Sequence, residues 1–462
     1  MMRVAGFGLV LLFVASGMTA QDTRTVNEPV IPAACVTLDA MLSVSGTGHS
    51  GAALAAADEA KLDTERIQKA IDKCGKGKGV ELATKGAANA FLSGPLELRA
   101  GVTLILDKGV TLFASRDAKV FETVPGACGI LAQKRGGCRP LISVRDAPHS
   151  GVMGDGVIDG RGGDKILGKD VSWWDLAEQA RPGGGQQTFR LIVAENSDDF
   201  TLYRITLKNS PNFHVTYGHG DGFTVWGMKI DTPQRLARNT DGVDPGNGAK
   251  NITITHSYFR QGDDNVALKG GTGGITNVTI SHNHFYWGHG MSIGSETNGG
   301  VSKIRVFDLS LDGPDNGIRI KSNGSRGGLT HDVRYDDVCV RNSPNPITLD
   351  TGYSAAGTEK GDLPPTMKDV TLHDVRVVGG GKISFNGYDK EHRVGVNLDG
   401  VLLTDDVANY KYSLNHADVV LGPGPVNLTL PAGDDSTVTG TAGAGSAKSC
   451  AEKFVAFPDG QK

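Results

Sequence analysis

Four short polar segments between Asn239 and Ser322 carry the residue types that acid–base chemistry needs. They supply three aspartates, one histidine and two basic side chains, namely Asp241, Asp263, Asp264, His289, Arg319 and Lys321. Intervals of 23, 25 and 30 residues separate Asp241 from Asp264, Asp264 from His289, and His289 from Arg319. If each interval is one turn of a repeating coil, these side chains share one cleft and form an active site.

Aspartates placed in this way could supply both an acid and a base. Equivalent positions on neighbouring coils lie about 5 Å apart, so Asp241 would be a close neighbour of Asp263 and Asp264. Ionised carboxylates that close repel each other, so the pKa of one rises and that group keeps a proton near neutrality. A protonated acid beside an ionised partner is what glycoside hydrolysis requires. In a regular strand Asp263 and Asp264 would face opposite sides, so we expect the backbone to leave the pleat at Gly262.

A repeat with strand-like alternation must position these residues. Its unit is a polar residue followed by an apolar, a variable and another apolar residue. Eight units begin at intervals of 23 to 37 residues, at Phe200, Phe223, Ile252, Val278, Ile304, Val333, Val370 and Val396. Five of them follow a turn-forming residue: Asp199, Asn251, Asn277, Asp332 and Asp369. An earlier unit, Val152–Gly160, is interpreted as lying two periods before Phe200, and the longest outer loop is expected between Val333 and Val370.

This period predicts one architecture. Helical repeats need 33 or more residues, and propeller blades need about 40. The Leu/Asn consensus of leucine-rich repeats is missing from the sequence. The remaining prediction is an all-β, single-domain, right-handed parallel β-helix of about ten coils, stacked at the strand spacing of about 4.8 Å.

Three segments are expected to differ from the repeat. Residues 1–20 have the charge and apolar run of a secretory signal peptide, which predicts an extracellular protein; an N-terminal anchor is the alternative. In residues 63–74 the apolar side chains have helical spacing and Asp63 is a plausible N-cap, which predicts a helix capping the N-terminal end of one domain, residues 21–462. No second helix is predicted. From about residue 405 to 462 the repeat weakens into a C-terminal cap or tail.

Charge and cysteine content limit the other possibilities. The net charge of −4 and the pI near 6.3 give no overall basic field, so no nucleic-acid partner is expected. Beyond the N-terminal segment no apolar run is long enough to suggest a membrane partner. Six cysteines allow 15 pairings, among which we favour Cys128–Cys138 and then Cys35–Cys74, with Cys339 as a buried apolar residue. Their spacing matches no zinc pattern, and no metal or cofactor is predicted.

The four signatures resemble those of the polygalacturonases, glycoside hydrolase family 28. They are Asn239–Asp241, Gly262–Asp264, Gly288–Ser295 and Arg319–Lys321, and their order and separation match the family. Three upstream segments are also similar: Ile158–Gly162, Trp173–Trp174 and Asn209–Phe213. The similarity spans about Asp63 to Tyr353, and it implies a secreted hydrolase of α-1,4-linked galacturonan, the demethylated backbone of pectin.

The resemblance also implies catalytic roles. Asp263 is expected to be the general acid that protonates the glycosidic oxygen. Asp241 and Asp264 are expected to hold and deprotonate the attacking water, with inversion of configuration. His289 is expected to tune the protonation of Asp263 by hydrogen bonding.

Five further residues are expected to contact substrate. Arg319 and Lys321 would bind the galacturonate carboxylate next to the cleaved bond, since a guanidinium suits a carboxylate and alternate strand residues share a face. Tyr353 resembles a cleft tyrosine of the family, and Asn247 and Asp315 match secondary substrate contacts.

Internal cleavage by a monomer is the favoured hypothesis, because Gly288–Ser295 is similar to endo-acting members. The alternatives are an exo-acting enzyme, a calcium-dependent pectate lyase with an arginine base, a β-helix that only binds polysaccharide, and a rhamnogalacturonan hydrolase. Arg319 and Lys321 disfavour the last of these.

Overall fold

The computed structural model describes residues 21–44, 46–48, 51–133, 136–181, 183–354, 361–431, 435–446 and 448–458. The predicted signal peptide, residues 1–20, lies outside these ranges. Among the described helices, none has the length and apolar character to cross a membrane.

Parallel strands stack into two long sheets, and the first of them has 11 strands. We call it the 11-strand sheet; one strand comes from each successive coil. Its strands are Leu96–Glu97, Ile142–Arg145, Ile192–Glu195, Val215–Gly218, Val243–Gly246, Val266–Leu268, Met291–Ile293, Asn316–Lys321, Asn345–Asp350, Gly381–Asn386 and Tyr410–Asn415. The chain is therefore a right-handed parallel β-helix, as the period predicts.

The second sheet, called the 20-strand sheet, closes each coil either with two short strands or with one long strand. Its strands are Ala34–Asp39, Lys78–Ala83, Ala90–Ser93, Val102–Leu106, Thr111–Ala114, Gly151–Met153, Val157–Asp159, Phe200–Tyr203, Thr206–Lys208, Asp221–Trp226, Lys229–Asp231, Ala249–Thr255, Tyr258–Arg260, Ile275–Phe285, Val301–Asp312, Leu329–Arg341, Thr366–Val378, Val394–Leu403, Ala417–Leu421 and Thr437–Gly440. Two short antiparallel pairs lie outside both sheets: Gly46–Gly48 with Gly51–Ala53, and Ile130–Leu131 with Gln186–Gln187.

The eight predicted repeat units form one column inside the 20-strand sheet. Phe200 pairs with Phe223, Phe223 with Ile252, and the register continues through Val278, Ile304, Val333, Val370 and Val396. Every one of these side chains is buried, with at most 2% of its surface exposed. Burial of a continuous apolar column by stacking holds the coils together, and it confirms the predicted repeat.

The polar residue before each unit forms a corner of the coil. Five of these corners adopt the left-handed conformation, with φ between 52° and 59°: Asp199, Asn251, Asn277, Asp332 and Asp369. Asn and Asp tolerate this conformation better than most residues. All of these corners except Asp199 lie within a long strand of the 20-strand sheet, so at these four positions the corner bends a continuous strand instead of preceding it.

Helix α1, Thr64–Lys73, lies where the apolar spacing predicts a helix. Ile67 and Ile71 are fully buried, and the helix packs against the early strands Lys78–Ala83 and Leu96–Glu97. Asp63 occupies the N-cap position, but its side chain does not cap the helix. It accepts hydrogen bonds from Arg66 and from the main-chain N–H of Leu92 instead.

The prediction of a single helix was wrong. Helix α2, Trp173–Gln179, begins at a capping box formed by Ser172 and Asp175, in which each side chain accepts a hydrogen bond from the other residue's backbone. It lies in an excursion between the strands Val157–Asp159 and Ile192–Glu195. At seven residues it is too short for a clear helical periodicity in the sequence.

This excursion also corrects the spacing assigned to the early repeat unit. Val152 pairs directly with Leu202, so one coil separates them, not two. That coil also contains the longest interval in the repeat, which the sequence placed between Val333 and Val370. Because α2 and the strand Gln186–Gln187 lie outside the coil, they lengthen the interval without adding a rung.

Three disulfides tie the ends and one loop to the β-helix. Cys35–Cys74 and Cys128–Cys138 match the favoured pairings, whereas Cys339, predicted to be unpaired, is bonded to Cys450. The two residues are 111 apart in sequence, and they meet because the C-terminal segment runs back along the 20-strand sheet. Past Asp405, where the repeat weakens, three more strands still pair in register, at Tyr410–Asn415, Ala417–Leu421 and Thr437–Gly440.

Candidate active site

The first three polar signatures begin just before consecutive strands of the 11-strand sheet, and the fourth, Arg319–Lys321, ends the next strand. Val243 pairs with Val266, Val266 with Met291, and Met291 with Ile318. Asp241, Asp264 and His289 each come two residues before one of the first three paired positions, and they therefore stack on neighbouring coils. Main-chain hydrogen bonds continue this register, from the N–H of Gly242 to the carbonyl of Asp264 at 2.9 Å and from that of Asn265 to Gly290 at 3.1 Å.

Asp263 and Asp264 lie in the turn between two strands, and so they escape strand alternation. The strand Tyr258–Arg260 ends before Gly262, and Val266–Leu268 begins after the pair. A Cβ on Gly262 would lie 2.1 Å from the carbonyl oxygen of Ala237, so only glycine fits this approach. The turn exposes 18% of the Asp263 side chain but only 1% of the Asp264 side chain.

His289 lies between two carboxylates. Its Nδ1 is 3.5 Å from Oδ1 of Asp263, and its Nε2 is 3.4 Å from Oδ2 of Asp315. Burial alone would lower the pKa of His289, but the hydrogen bond to Asp315 and the charges of Asp263 and Asp264 outweigh burial and raise it. The imidazole therefore carries a proton more readily than an ordinary histidine.

Asp264 is surrounded by donors and cations. Oδ2 lies 2.6 Å from Nζ of Lys321, and Oδ1 accepts a hydrogen bond from the hydroxyl of Ser292 at 2.7 Å. Arg319 Nη1 lies 3.5 Å from Oδ1. Burial alone would raise the pKa of Asp264, but the charges of Lys321, Arg319, Lys269 and His289 hold it well below its usual range. Asp264 is therefore the permanently ionised member of the group.

Asp241 has the opposite environment. It is 3% exposed, and burial together with the charges of Asp263 and Asp244 raises its pKa well above the usual range. Its nearest cation is Lys269, whose Nζ lies 3.4 Å from Oδ2. Of the two buried carboxyls, Asp241 therefore binds a proton more tightly than Asp264 and is the stronger base.

A cavity of about 450 Å³ opens over these residues. Six of the predicted site residues line it: Asp263, His289, Asp315, Arg319, Lys321 and Tyr353. The Tyr353 ring lies near both cations, with its centroid 5.5 Å from Cζ of Arg319 and 5.2 Å from Nζ of Lys321. Asp241 and Asp264 lie below its surface, so Asp263 is the carboxyl of the three that a ligand in the cavity could reach.

The sequence did not predict the basic wall of this cavity. Arg181 comes from the excursion after α2, and Arg235 and Arg238 come from the loop before Asp241. A second cavity of about 720 Å³ shares Arg181 and Arg238 with the first and adds Arg190 and Arg326. Loops and excursions carry no repeat, so nothing in the period points to these arginines; a search for basic residues in the segments between units would have found them.

The family model for glycosyl hydrolases family 28 matches residues 74–418 of the chain, which is well over half of its 462 residues. The chain belongs to family 28 of the glycosyl hydrolases. It is therefore a glycoside hydrolase.

Similar proteins of this family match the chain over most of its length. The family 28 chain is 44% identical over 402 residues to an endo-polygalacturonase of Pectobacterium carotovorum subsp. carotovorum, over 86% of this chain and 94% of the relative. It is 38% identical over 498 residues to a polygalacturonase of Ralstonia nicotianae, over 93% and 92% of the two chains. Among solved structures, the polygalacturonase from Erwinia carotovora ssp. carotovora matches with a TM-score of 0.78 at 42% identity, over 86% and 99% of the two chains.

Asn247, predicted to contact substrate, directly follows the strand Val243–Gly246 of the hydrolase. Asn247 lines neither of the two cavities. Its amide donates to Nε2 of His219 at 3.0 Å, and its oxygen accepts from the N–H of Gly273 at 3.1 Å. It follows the strand Val243–Gly246 at that strand's far end, where φ is 46°, so it stabilises a turn.

Three ligand atoms of the hydrolase are close enough to hold a metal ion. Atoms of Asp263, Asp264 and His289 lie within 4.8 Å of one another. However, Asp264 already pairs with Lys321 and Arg319. A cation would have to compete with both of these charges for the same carboxylate.

Proposed function

We propose that this chain is a secreted endo-polygalacturonase that hydrolyses α-1,4 bonds between galacturonate units of demethylated pectin, with inversion of configuration. One observation carries the proposal: the cavity that exposes Asp263 is also lined by Arg319 and Lys321 beside the ionised Asp264. Acid–base groups next to paired cations suit a sugar that carries a carboxylate. The 44% identical relative is an endo-polygalacturonase, which supports the same substrate.

The proposed reaction uses each carboxyl once. Asp263 gives its proton to the glycosidic oxygen as the bond between that oxygen and the anomeric carbon breaks. A water held by Asp241 and Asp264 attacks the anomeric carbon from the opposite face and loses its proton to Asp241, since Asp264, with its lowered pKa, is the weaker base. The imidazolium of His289 then stabilises the carboxylate left on Asp263.

The cations fix the position of the sugar. Arg319 and Lys321 bind the carboxylate of the galacturonate next to the cleaved bond, and Tyr353 packs beside both cations. Asp315 acts indirectly by holding Nε2 of His289. We propose no substrate contact for Asn247.

Secretion of a monomer is part of the proposal. Residues 1–20 have the features of a signal peptide, and the three disulfides are typical of an oxidising compartment. Pectin is an extracellular polymer of plant cell walls, so secretion would bring the enzyme to its substrate.

One assay tests the proposal. The protein is incubated with polygalacturonate and a chelator, and the loss of viscosity is compared with the release of reducing ends, with Asp263→Asn as the matched control. We expect fast thinning at few cuts and a loss of at least about 100-fold in the rate for Asp263→Asn. Slow thinning with release of monomer would indicate exo action. An unsaturated product absorbing in the ultraviolet, or loss of activity in the chelator, would indicate a lyase.

A further inference from the structure

Lys269 has no assigned role, yet it lies on the floor of the site. It follows the strand Val266–Leu268 and faces outward in the same row as Lys321, because Leu268 pairs with Ile293 and Ile293 with Ile320. Gly294 lies between the two lysines in this row and has no side chain. Both ammonium groups therefore have room to approach the buried carboxyls from the same side.

The ammonium of Lys269 bridges two buried carboxyls. Nζ lies 3.4 Å from Oδ2 of Asp241 and 3.2 Å from Oδ2 of Asp244. It also lies 5.1 Å from the ring centroid of Phe213, which shields it from solvent on one side. No other cation lies within 4 Å of either carboxyl in the described part of the chain.

Both carboxyls lack other partners. Oδ1 of Asp241 and both oxygens of Asp244 are buried without a hydrogen bond among the described residues. Asp244 is 5% exposed and faces the same floor. Buried acids without partners hold their protons, because nothing else stabilises the charge. The charge of Lys269 is what opposes this tendency.

Some of the charges near Asp241 favour its ionised form and others disfavour it. Asp263, Asp244 and Asp264 disfavour its ionised form, and Lys269 favours it. Lys269 itself faces Asp244, Asp241, Glu296 and Asp264. Glu296 is partly neutralised by Arg326, whose Nη1 lies 2.7 Å from Oε1.

We propose that Lys269 is a positioning residue that favours the ionised form of Asp241 beside Asp244, so that Asp241 can accept the proton of the attacking water. The inference rests on the proposed function, in which the water oxygen bonds to the anomeric carbon as its proton passes to Asp241. Lys269 transfers no proton itself. Asp244 has the opposite effect on Asp241, because it attracts the same ammonium and carries a negative charge of its own.

Two substitutions with opposite effects test this role. Lys269→Met keeps the length of the side chain but removes its charge, so Asp241 should need a higher pH to ionise. We expect kcat to fall about 100-fold at mildly acidic pH with KM little changed, and the acidic limb of the kcat profile to move to higher pH. Asp244→Asn should move the same limb to lower pH. Lys269→Arg, which keeps the charge, should leave the limb near its wild-type position.

Matched controls separate this role from a loss of structure. Lys208 pairs with Asp231 at 3.0 Å on the 20-strand sheet and is about as exposed as Lys269, so Lys208→Met should leave the pH profile unchanged. A loss of kcat in Lys269→Met with an unmoved acidic limb would overturn the proposal, and so would a shift in Lys269→Arg equal to that of Lys269→Met. If Lys269→Met does not fold, an unmoved limb in Asp244→Asn overturns it.

A second measurement does not depend on the substrate. Without the ammonium, the folded state of Lys269→Met should hold protons on Asp241 and Asp244 to higher pH, so the slope of its melting temperature against pH between 4 and 7 should be more negative than that of the wild type. Asp244→Asn in the same background should reduce this slope. Equal slopes in the variant and the wild type would overturn the proposal. An inactive wild type would instead overturn the proposed function, whatever the slopes.

Discussion

The Nζ atom of Lys321 lies 2.6 Å from Oδ2 of Asp264, and the two side chains are only 6% and 1% exposed. Arg319, two residues earlier on the same strand, reaches the other oxygen at 3.5 Å. A residue proposed to bind substrate is thus also the main partner of a buried carboxylate. Lys321 therefore contributes to the stability of the free enzyme as well as to its proposed binding of galacturonate.

Removing one member of this pair should cost more stability than removing both. Lys321→Met leaves Asp264 as a buried charge with a weaker partner, and we expect the free energy of unfolding to fall by about 3–5 kcal/mol. In Lys321→Met/Asp264→Asn the buried carboxylate is removed together with its ammonium and only Arg319, which is 14% exposed, loses a partner, so part of this loss should be recovered. Urea denaturation of the wild type, both single variants and the double variant measures the coupling.

Lys85 provides the control for this cycle. It pairs with Asp39 at the same 2.6 Å, but the two side chains are 69% and 49% exposed. Exposed pairs contribute little, so Lys85→Met should change the free energy of unfolding by less than about 1 kcal/mol. If Lys321→Met and Lys85→Met have equal effects, the buried pair does not stabilise the fold as argued.

His214 should make the enzyme sensitive to acid. Its ring is fully buried, with Nδ1 3.0 Å from the carbonyl oxygen of Asp241 and Nε2 2.9 Å from the hydroxyl of Thr232. Because a carbonyl only accepts, Nδ1 donates to it and Nε2 accepts from the hydroxyl. Burial lowers the pKa of His214 from 6.5 to about 4. The unfolded chain therefore binds a proton between pH 6.5 and 4 that the folded chain does not.

The sign of this effect can be measured. The contribution of His214 to stability is complete above pH 6.5 and is lost as pH falls through 4, by about 3 kcal/mol. Between pH 6.5 and pH 4 the free energy of unfolding of the wild type should therefore fall by about 3 kcal/mol more than that of His214→Gln. The exposed His149, which lies 3.3 Å from Asp199, is the control, and His149→Gln should follow the wild type. Parallel curves for the wild type and His214→Gln would show that His214 does not titrate as argued.

The parts of the fold that repeat could be predicted from sequence. Each coil buries an apolar residue at the same position, so the period of the apolar residues fixes the register of the strands. That register alone brings Asp241, Asp264 and His289 onto neighbouring coils. The Asp263–Asp264 turn also followed, because a regular strand could not bring both carboxyls to one site.

The parts of the fold that lie outside the repeat could not be predicted from sequence. Helix α2 and Arg181 belong to an excursion whose length the sequence counted as a second coil. Cys450 reaches Cys339 only because the C-terminal segment folds back along the stack, a contact that no local pattern encodes. Lys269 is an intermediate case. Strand alternation from Val266 would have placed its side chain outward with that of Lys321, but its partner Asp244 lies on another coil.

The Cys339–Cys450 bond should stabilise the fold without affecting catalysis. Around it, Lys453 pairs with Asp337 at 2.6 Å, and the Phe457 ring lies 3.8 Å from Cζ of Arg260. Replacing both cysteines by alanine should lower the free energy of unfolding by about 2–5 kcal/mol, because the bond closes a long loop. Limited proteolysis should then remove the C-terminal segment before the core is cut.

Activity of this double variant provides the contrast. The segment packs on the 20-strand sheet, away from the cavities over the 11-strand sheet, so kcat at low temperature should be unchanged. Cys128→Ala/Cys138→Ala is the comparison, because Cys138 lines the second cavity and its loss should raise KM. A large fall in kcat after loss of Cys339–Cys450 would mean that the segment supports the site from a distance.

Arg235 should contribute to substrate binding and not to the chemical step. It lines the first cavity together with Arg319, and it makes no ion pair within 4 Å among the described residues. Such a cation is free to bind a carboxylate of a galacturonan chain. Arg235→Gln should raise KM for polygalacturonate about 3- to 10-fold at low salt with kcat unchanged, since a hydrogen bond to a charged group contributes about 1.5–3 kcal/mol before solvent screening.

Salt dependence makes this prediction specific. Raising ionic strength from 0.01 M to 0.1 M shortens the Debye length from about 30 Å to about 10 Å, so KM of the wild type should rise with salt. The rise should be smaller in Arg235→Gln, because one attractive charge is already missing. Arg204, which pairs with Asp155 on the far side of the coil, is the matched control, and Arg204→Gln should keep the wild-type dependence. Equal salt slopes in Arg235→Gln and the wild type would mean that the Arg235 charge does not reach the substrate, and the basic wall would then act through Arg181 and Arg238 alone.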